Sequence, residues 1–224
     1  WNGGSETITS SVAIPTNEWH QVAVIYNGTT ARLYIDGVED ISANLSIPIS
    51  NSESFLIAAA DGDEANTTSF FQGNIDEVRI WNDALTEDEL RFIMNQEIEN
   101  NAGIKGSYFE LNSITPSKYD ISDGSINWSK LQGYYPMSTY TFTNCKDASG
   151  NGNTAALKNL NTVDYQTAPL PYVSNVDGDW DITTTWTNGD VQTIPGAASI
   201  VDANTTVDWN IVQISSNVNL KNDN

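Results

Sequence analysis

Between Trp19 and Trp81 the chain alternates short β-branched and aromatic runs with pairs of turn-forming residues, a pattern that restricts it to antiparallel β-structure. The run Trp19–Tyr26 (WHQVAVIY) is followed by Asn27-Gly28, the strongest short-range hairpin signal. Ala31–Ile35 (ARLYI) then meets Asp36-Gly37, a second turn of the same kind. Ser54–Ala60 reads as a further strand. Ile75–Trp81 alternates, with Ile75, Glu77, Arg79 and Trp81 on one face and Asp76, Val78 and Ile80 on the other. Strands at this spacing predict a sandwich. A single helix interrupts them: Thr86 and Glu89 form a capping box, Leu90, Ile93 and Met94 an apolar stripe, and the helix is expected over about 87–98.

Composition narrows the partners. Lys and Arg number 9 against 29 Asp and Glu, a formal charge of −20. Such a field repels phosphate backbones and anionic lipid, so nucleic acid and direct membrane insertion are excluded as expectations, while cations are attracted. Calcium is the expected cofactor outside the cell. Cys145 is the only cysteine, so the fold is not a disulfide scaffold, and a small buried residue is its expected role. No apolar run reaches the length of a membrane span. Trp1-Asn2-Gly3-Gly4 reads like the interior of a domain, so both ends are expected to be cut from a longer secreted polypeptide.

Beyond the helix the texture changes twice. Residues 130–166 carry Gly133-Tyr134-Tyr135-Pro136-Met137 and then the turn-rich Asp147-Ala148-Ser149-Gly150-Asn151-Gly152-Asn153. Thr167–Val173 holds two prolines and must be extended. From Asp177 onward Trp180, Trp186 and Trp209 punctuate short β-type runs.

Order and spacing over residues 18–93 resemble the laminin-G-like and pentraxin-like concanavalin A superfamily. The matching pieces are Glu18–Val24, Ala31–Val38, Phe71–Trp81 (FQGNIDEVRIW) and Ala84–Leu90. The resemblance implies the C-terminal half of a jelly roll, without the family's opening strands. Residues 131–160 resemble the opening of another such domain. Asp177–Leu220 resembles the start of β-solenoid modules, which follow such domains in large bacterial surface proteins, including adhesins and type 9 secretion substrates. The expected fold is therefore all-β: a partial laminin-G-like jelly-roll sandwich with one short helix, a β-rich segment, and the start of a β-solenoid-like module. The expected divisions are 1–101, 102–173 and 174–224.

Several constellations could carry chemistry. Asp61-Gly62-Asp63-Glu64 resembles the pentraxin loop that supplies calcium ligands, so Asp61, Asp63 and Glu64 are the expected metal residues, against the alternative of a solvated acidic turn. Asp177, Asp179 and Asp181 have a calcium-loop spacing but lack its Gly and Glu, and read better as a strand-opening turn; DASGNGN also reads better as a turn than as a cation site. Tyr134, Tyr135, Trp180 and Trp186 are candidates for stacking on carbohydrate, although core packing is the commoner fate of such rings. Glycoside hydrolysis needs two carboxylates facing one bond, whereas Asp76 and Glu77 fall on opposite faces. His20, the only histidine, reads as a packing residue, and Arg79 with Glu77 as a surface pair of little weight. Five Asn-x-Ser/Thr sequons, at Asn27, Asn44, Asn66, Asn127 and Asn204, read as loop composition.

The expected function is a non-catalytic binding or adhesion module of a secreted cell-surface protein. Its expected partner is a glycan or an extracellular protein, with the secretion machinery as a further one. The alternatives are a structural spacer and an accessory segment of a carbohydrate-active enzyme.

Overall fold

A computed structural model describes residues 5–60, 68–100, 104–108, 112–114, 126–137, 141, 143–158, 172–187, 189 and 193–220. They form an all-β protein with one short α-helix, as the strand spacing predicts. Strands β1 (Val22–Tyr26), β2 (Thr30–Ile35) and β3 (Val38–Asn44) make an antiparallel meander. Both turns are the ones the sequence marks. Asn27 accepts the backbone N–H groups of Thr29 and Thr30 on its side-chain oxygen, at 3.1 and 2.9 Å. Asp36 and Gly37 both lie in the left-handed region, at φ 51° and 76°, as a tight hairpin turn requires. Val24, Leu33 and Ile41 stand opposite one another on one sheet face.

The strand expected over Ser54–Ala60 shrinks to β4 (Ala59–Ala60), which pairs with β5 (Thr68–Phe70). The next strand, β6 (Val78–Trp81), begins three residues later than its alternation suggests. The cause is local: Glu77 adopts φ 54°, a left-handed conformation that breaks extended structure just before Val78.

Helix α1 (Glu87–Met94) starts as predicted. The Thr86 hydroxyl accepts Glu89 N–H at 3.2 Å, and the Glu89 carboxylate accepts Thr86 N–H at 2.7 Å. Its stripe of Leu90, Ile93 and Met94 is buried, together with Phe92. It ends earlier than the expected residue 98. Asn95 caps it, and the chain turns into β7 (Glu97–Asn100), which pairs with β8 (Ile104–Tyr108), itself paired with β9 (Asn112–Ile114).

The neighbour of β6 comes from the middle of the chain. Strand β10 (Leu131–Tyr135) runs antiparallel to it, so hydrogen bonds cross the expected division at 101. The main core gathers here: Phe92, Ile93, Ile98, Ile126, Leu131 and Tyr134 are buried together, with Trp81, Leu85 and Trp128 packed against them. Trp81 is half-buried at this edge. Strands β11 (Asn144–Cys145) and β12 (Ala155–Ala156) then bracket the DASGNGN turn.

The C-terminal part pairs differently. Strands β13 (Tyr172–Val173) and β14 (Gly178–Asp179) run parallel to β15 (Val212–Gln213) and β16 (Val218–Asn219) respectively. Contacts between the two layers recur 40 residues apart in sequence. Both parallel pairs share this 40-residue offset. Among the described residues no helix is long and apolar enough to cross a membrane.

Candidate functional site

A buried charged cluster lies where β6 meets β10. Arg79 and Glu77 were expected as a weak surface pair; instead their side chains are 8% and 9% exposed. The Arg79 guanidinium donates through one Nη to the Glu77 carboxylate and the Gln96 carbonyl, and through the other to the Ile93 carbonyl at 2.6 Å. The Tyr134 hydroxyl donates to the same Glu77 oxygen at 3.0 Å. It also accepts Ile98 N–H at 3.2 Å, while the Arg79 guanidinium lies 5.3 Å from the Tyr134 ring centre. Burial pushes the Glu77 carboxyl up to about 7 against the opposing pull of Arg79, and burial also raises the Tyr134 hydroxyl. Such a cluster ties α1, β6, β7 and β10 together, because four elements supply its polar atoms. Glu77 sits at the left-handed kink, and its carboxylate is enclosed. Asp76, beside it, accepts Glu77 N–H at 3.0 Å.

The rings proposed to stack on carbohydrate are mostly in the core. Tyr134, Tyr135 and Trp186 are 2%, 5% and 2% exposed, so their faces are covered, and this corrects the expectation that they contact ligand. Trp128 meets Tyr134 edge-on with ring centres 6.4 Å apart, and the Tyr135 hydroxyl donates to the Asn153 carbonyl at 2.6 Å. Trp186 packs edge-on to Trp180 at 4.9 Å and donates to the Trp180 carbonyl at 3.0 Å. Trp180 alone keeps a half-exposed ring, with its indole N–H held by the Pro195 carbonyl at 2.8 Å.

The DASGNGN turn is built as a plug. The buried Asp147 carboxylate accepts the N–H groups of Tyr134, Ser149 and Asn153 at 2.9–3.0 Å, which holds its pKa below the usual carboxylate range although burial opposes this. The amides of Asn151 and Asn153 donate to the carbonyls of Leu131 and Gln132. With the carboxylate saturated by backbone N–H groups, the turn reading of this segment holds. Asp177 and Asp179 are likewise engaged by Asn217 and Asn219. No cluster of potential metal ligands occurs among the described residues.

Asp61, Asp63 and Glu64 lie outside the described residues. The hairpin that carries them, β4–β5, is described on both sides. Its returning strand ends at Phe70, and Phe70 and the next residue, Phe71, are 54% and 58% exposed, with Phe55 nearby in sequence at 68%. Among the described residues, these rings are more exposed than Tyr134, Tyr135 and Trp186. The Phe70-Phe71 pair beside an acidic loop was the sequence signal that could have found them. Cys145 is buried as expected, and burial raises its thiol. His20 also packs inside, with 2% of its side chain exposed.

With this geometry in place, comparison with known proteins adds a family. Residues 1–91 match a protein-family model described as the Concanavalin A-like lectin/glucanases superfamily, of the laminin-G type. That portion of the chain is similar to laminin-G-like domains. A solved structure of residues 221–444 of an S-layer domain-containing protein from Clostridium thermocellum is 31% identical, with a TM-score of 0.32. The match covers 38% of this chain and 43% of that one, so this chain spans less than half of the solved structure it resembles. No curated protein matches.

Proposed function

We propose that the chain is a non-catalytic binding module of a secreted or cell-surface protein, and that it contacts its ligand at the β4–β5 hairpin. The observation that carries this reading is the exposure of Phe70 and Phe71 where the hairpin leaves the acidic loop. Large apolar rings in contact with water suit stacking on the apolar faces of sugar rings. The lectin branch of the matched superfamily supports a glycan as the ligand class. Calcium is proposed to assist: Asp61, Asp63 and Glu64 flank Gly62 in sequence, and a divalent cation would relieve the repulsion of three carboxylates so close along the chain. An acid–base role for Glu77 is not favoured, because its carboxylate is enclosed and engaged by Arg79 and Tyr134.

A glycan array probed with and without a calcium chelator tests the reading. Retention that depends on calcium and falls at least tenfold in Phe71→Ala is the expected result. Retention unaffected by Phe70→Ala and Phe71→Ala moves the contact surface elsewhere. No retention of any glycan or extracellular protein favours the spacer reading, which the firm docking of Trp209 on the meander also suits.

A further inference from the structure

The chain's only histidine sits under the turn on which the C-terminal coil rests. His20 Nδ1 lies 2.8 Å from Asp36 Oδ2, and its Nε2 lies 3.6 Å from the Glu18 carboxylate. The other Asp36 oxygen accepts Gln21 N–H at 2.9 Å. Asp36 therefore clamps its own turn to the start of β1. On the opposite side of the same turn, the Trp209 indole N–H donates to the Asp36 carbonyl at 3.0 Å. Trp209 is buried with Val38 and Met94, and the Arg91 guanidinium stacks 3.8 Å from its ring. Arg91 also donates to the Gly37 carbonyl at 2.9 Å, and Asn95 donates to the Trp209 carbonyl at 3.2 Å. One two-residue turn thus joins the histidine, helix α1 and the C-terminal coil.

We infer that protonation of His20 fastens the Asp36–Gly37 turn and with it the seat of Trp209, making a pH-sensitive latch between the meander and the coil. Imidazolium can satisfy carboxylates at both ring nitrogens, whereas neutral imidazole has one N–H to give. Losing the proton leaves Asp36 without a neighbouring cation on the His20 side and Glu18 without its partner. The groups facing this junction are Glu18 ahead of β1, Asp36 in the turn, Arg91 with its partner Glu87 on α1, and Tyr172 of β13, whose hydroxyl feels Asp36. The Asp36 hydrogen bond and both carboxylates raise the His20 pKa above 6.5, against burial. A raised histidine pKa sets the sign: the contribution is full below the unfolded value of about 6.5 and is lost as pH rises through the folded value. The latch is tight below the ordinary histidine pKa and loosens as pH rises through the raised one.

Nuclear magnetic resonance reads both partners, since one histidine gives one imidazole signal. The Trp209 indole peak is assigned by its loss in Trp209→Phe. The expected result is a Trp209 indole shift that titrates with the His20 midpoint and goes flat in His20→Gln. Linkage is reciprocal, so the His20 pKa should fall by about half a unit in Trp209→Phe. An indole peak that stays still while His20 titrates, or a His20 pKa unchanged in Trp209→Phe, overturns the latch. The Trp209→Phe measurement decides the matter even if His20→Gln fails to fold.

Discussion

The antiparallel meander and the C-terminal parallel coil are both β-structure, yet different physics sets their registers. In the meander each strand meets its neighbour through a turn of two or three residues, and the turn fixes the pairing. In the coil the partners stand 40 residues apart, too far for any turn to align them. Side chains hold the register instead. The Ser174 hydroxyl accepts the N–H groups of Ser215 and Ser216 at 2.8 and 3.1 Å. The Asp177 carboxylate accepts both the backbone and the side-chain N–H of Asn217, and Asp179 accepts the Asn219 amide at 3.3 Å. The first rung is closed on its far side by its own chain, through Asn175 N–H to the Thr185 carbonyl and Thr187 N–H to the Val173 carbonyl. Local turn chemistry is inexpensive and early; long-range rungs must offset a larger loop-closure entropy with side-chain bonds.

The largest expected disruption lies between the two regions, at the buried pair. Arg79→Met leaves the Glu77 carboxylate enclosed without its cation, which should cost about 3–5 kcal/mol, read by chemical denaturation. A loss under about 1 kcal/mol would show that the pair is solvated after all. The same centre predicts a pH response. Because burial raises Glu77 from 4.5 to about 7, its contribution is full below pH 4.5 and is lost as pH rises through 7. The stability difference between wild type and Glu77→Gln should therefore narrow or reverse across that window, by no more than about 3 kcal/mol. A difference independent of pH sinks this assignment.

Two glycines sharpen the contrast between turn and junction. Gly28 has φ 94° and open space where a Cβ would go, whereas at Gly37, φ 76°, a Cβ would stand 2.8 Å from Trp209 Nε1. Gly28→Ala should cost about 1 kcal/mol, the backbone penalty alone. Gly37→Ala adds a clash to a similar penalty and should cost about 2–3 kcal/mol, with the coil loosening as well. Equal losses at the two sites would mean that the coil does not press on the turn. The smallest effect belongs to the ladder. Ser174→Ala removes the acceptor of two part-buried backbone N–H groups and should cost about 0.5–1 kcal/mol, seen as faster hydrogen exchange at Ser215 and Ser216 while the meander amides are unchanged.

Residue chemistry explains why one site could be read and another could not. The hairpins at Asn27-Gly28 and Asp36-Gly37 and the Thr86–Glu89 box depend on residues within four positions, so their patterns are visible along the chain. Glu77 with Arg79 was misjudged because strand alternation says which residues share a face but not what covers that face. Tyr134 arrives from 57 residues away to cover it. Tyr134 and Tyr135 were illegible for the same reason: a tyrosine on a strand is equally suited to stacking on a ligand or filling a core, and only the arrival of β6 beside β10 placed these two inside.

By itself the sequence determined the all-β class, the position of the single helix and its cap, the two meander turns and the acidic field of −20. These follow from backbone preferences and charge, which act over a few residues or as a simple sum. The tertiary structure decided that β10 pairs with β6, that Glu77 and Arg79 are enclosed, that Asn95 ends the helix by turning to Trp209, and that Phe70 and Phe71 rather than Tyr134 and Tyr135 face water. Those outcomes depend on which surfaces meet across tens to more than a hundred residues, and burial is a property of the meeting rather than of either partner alone.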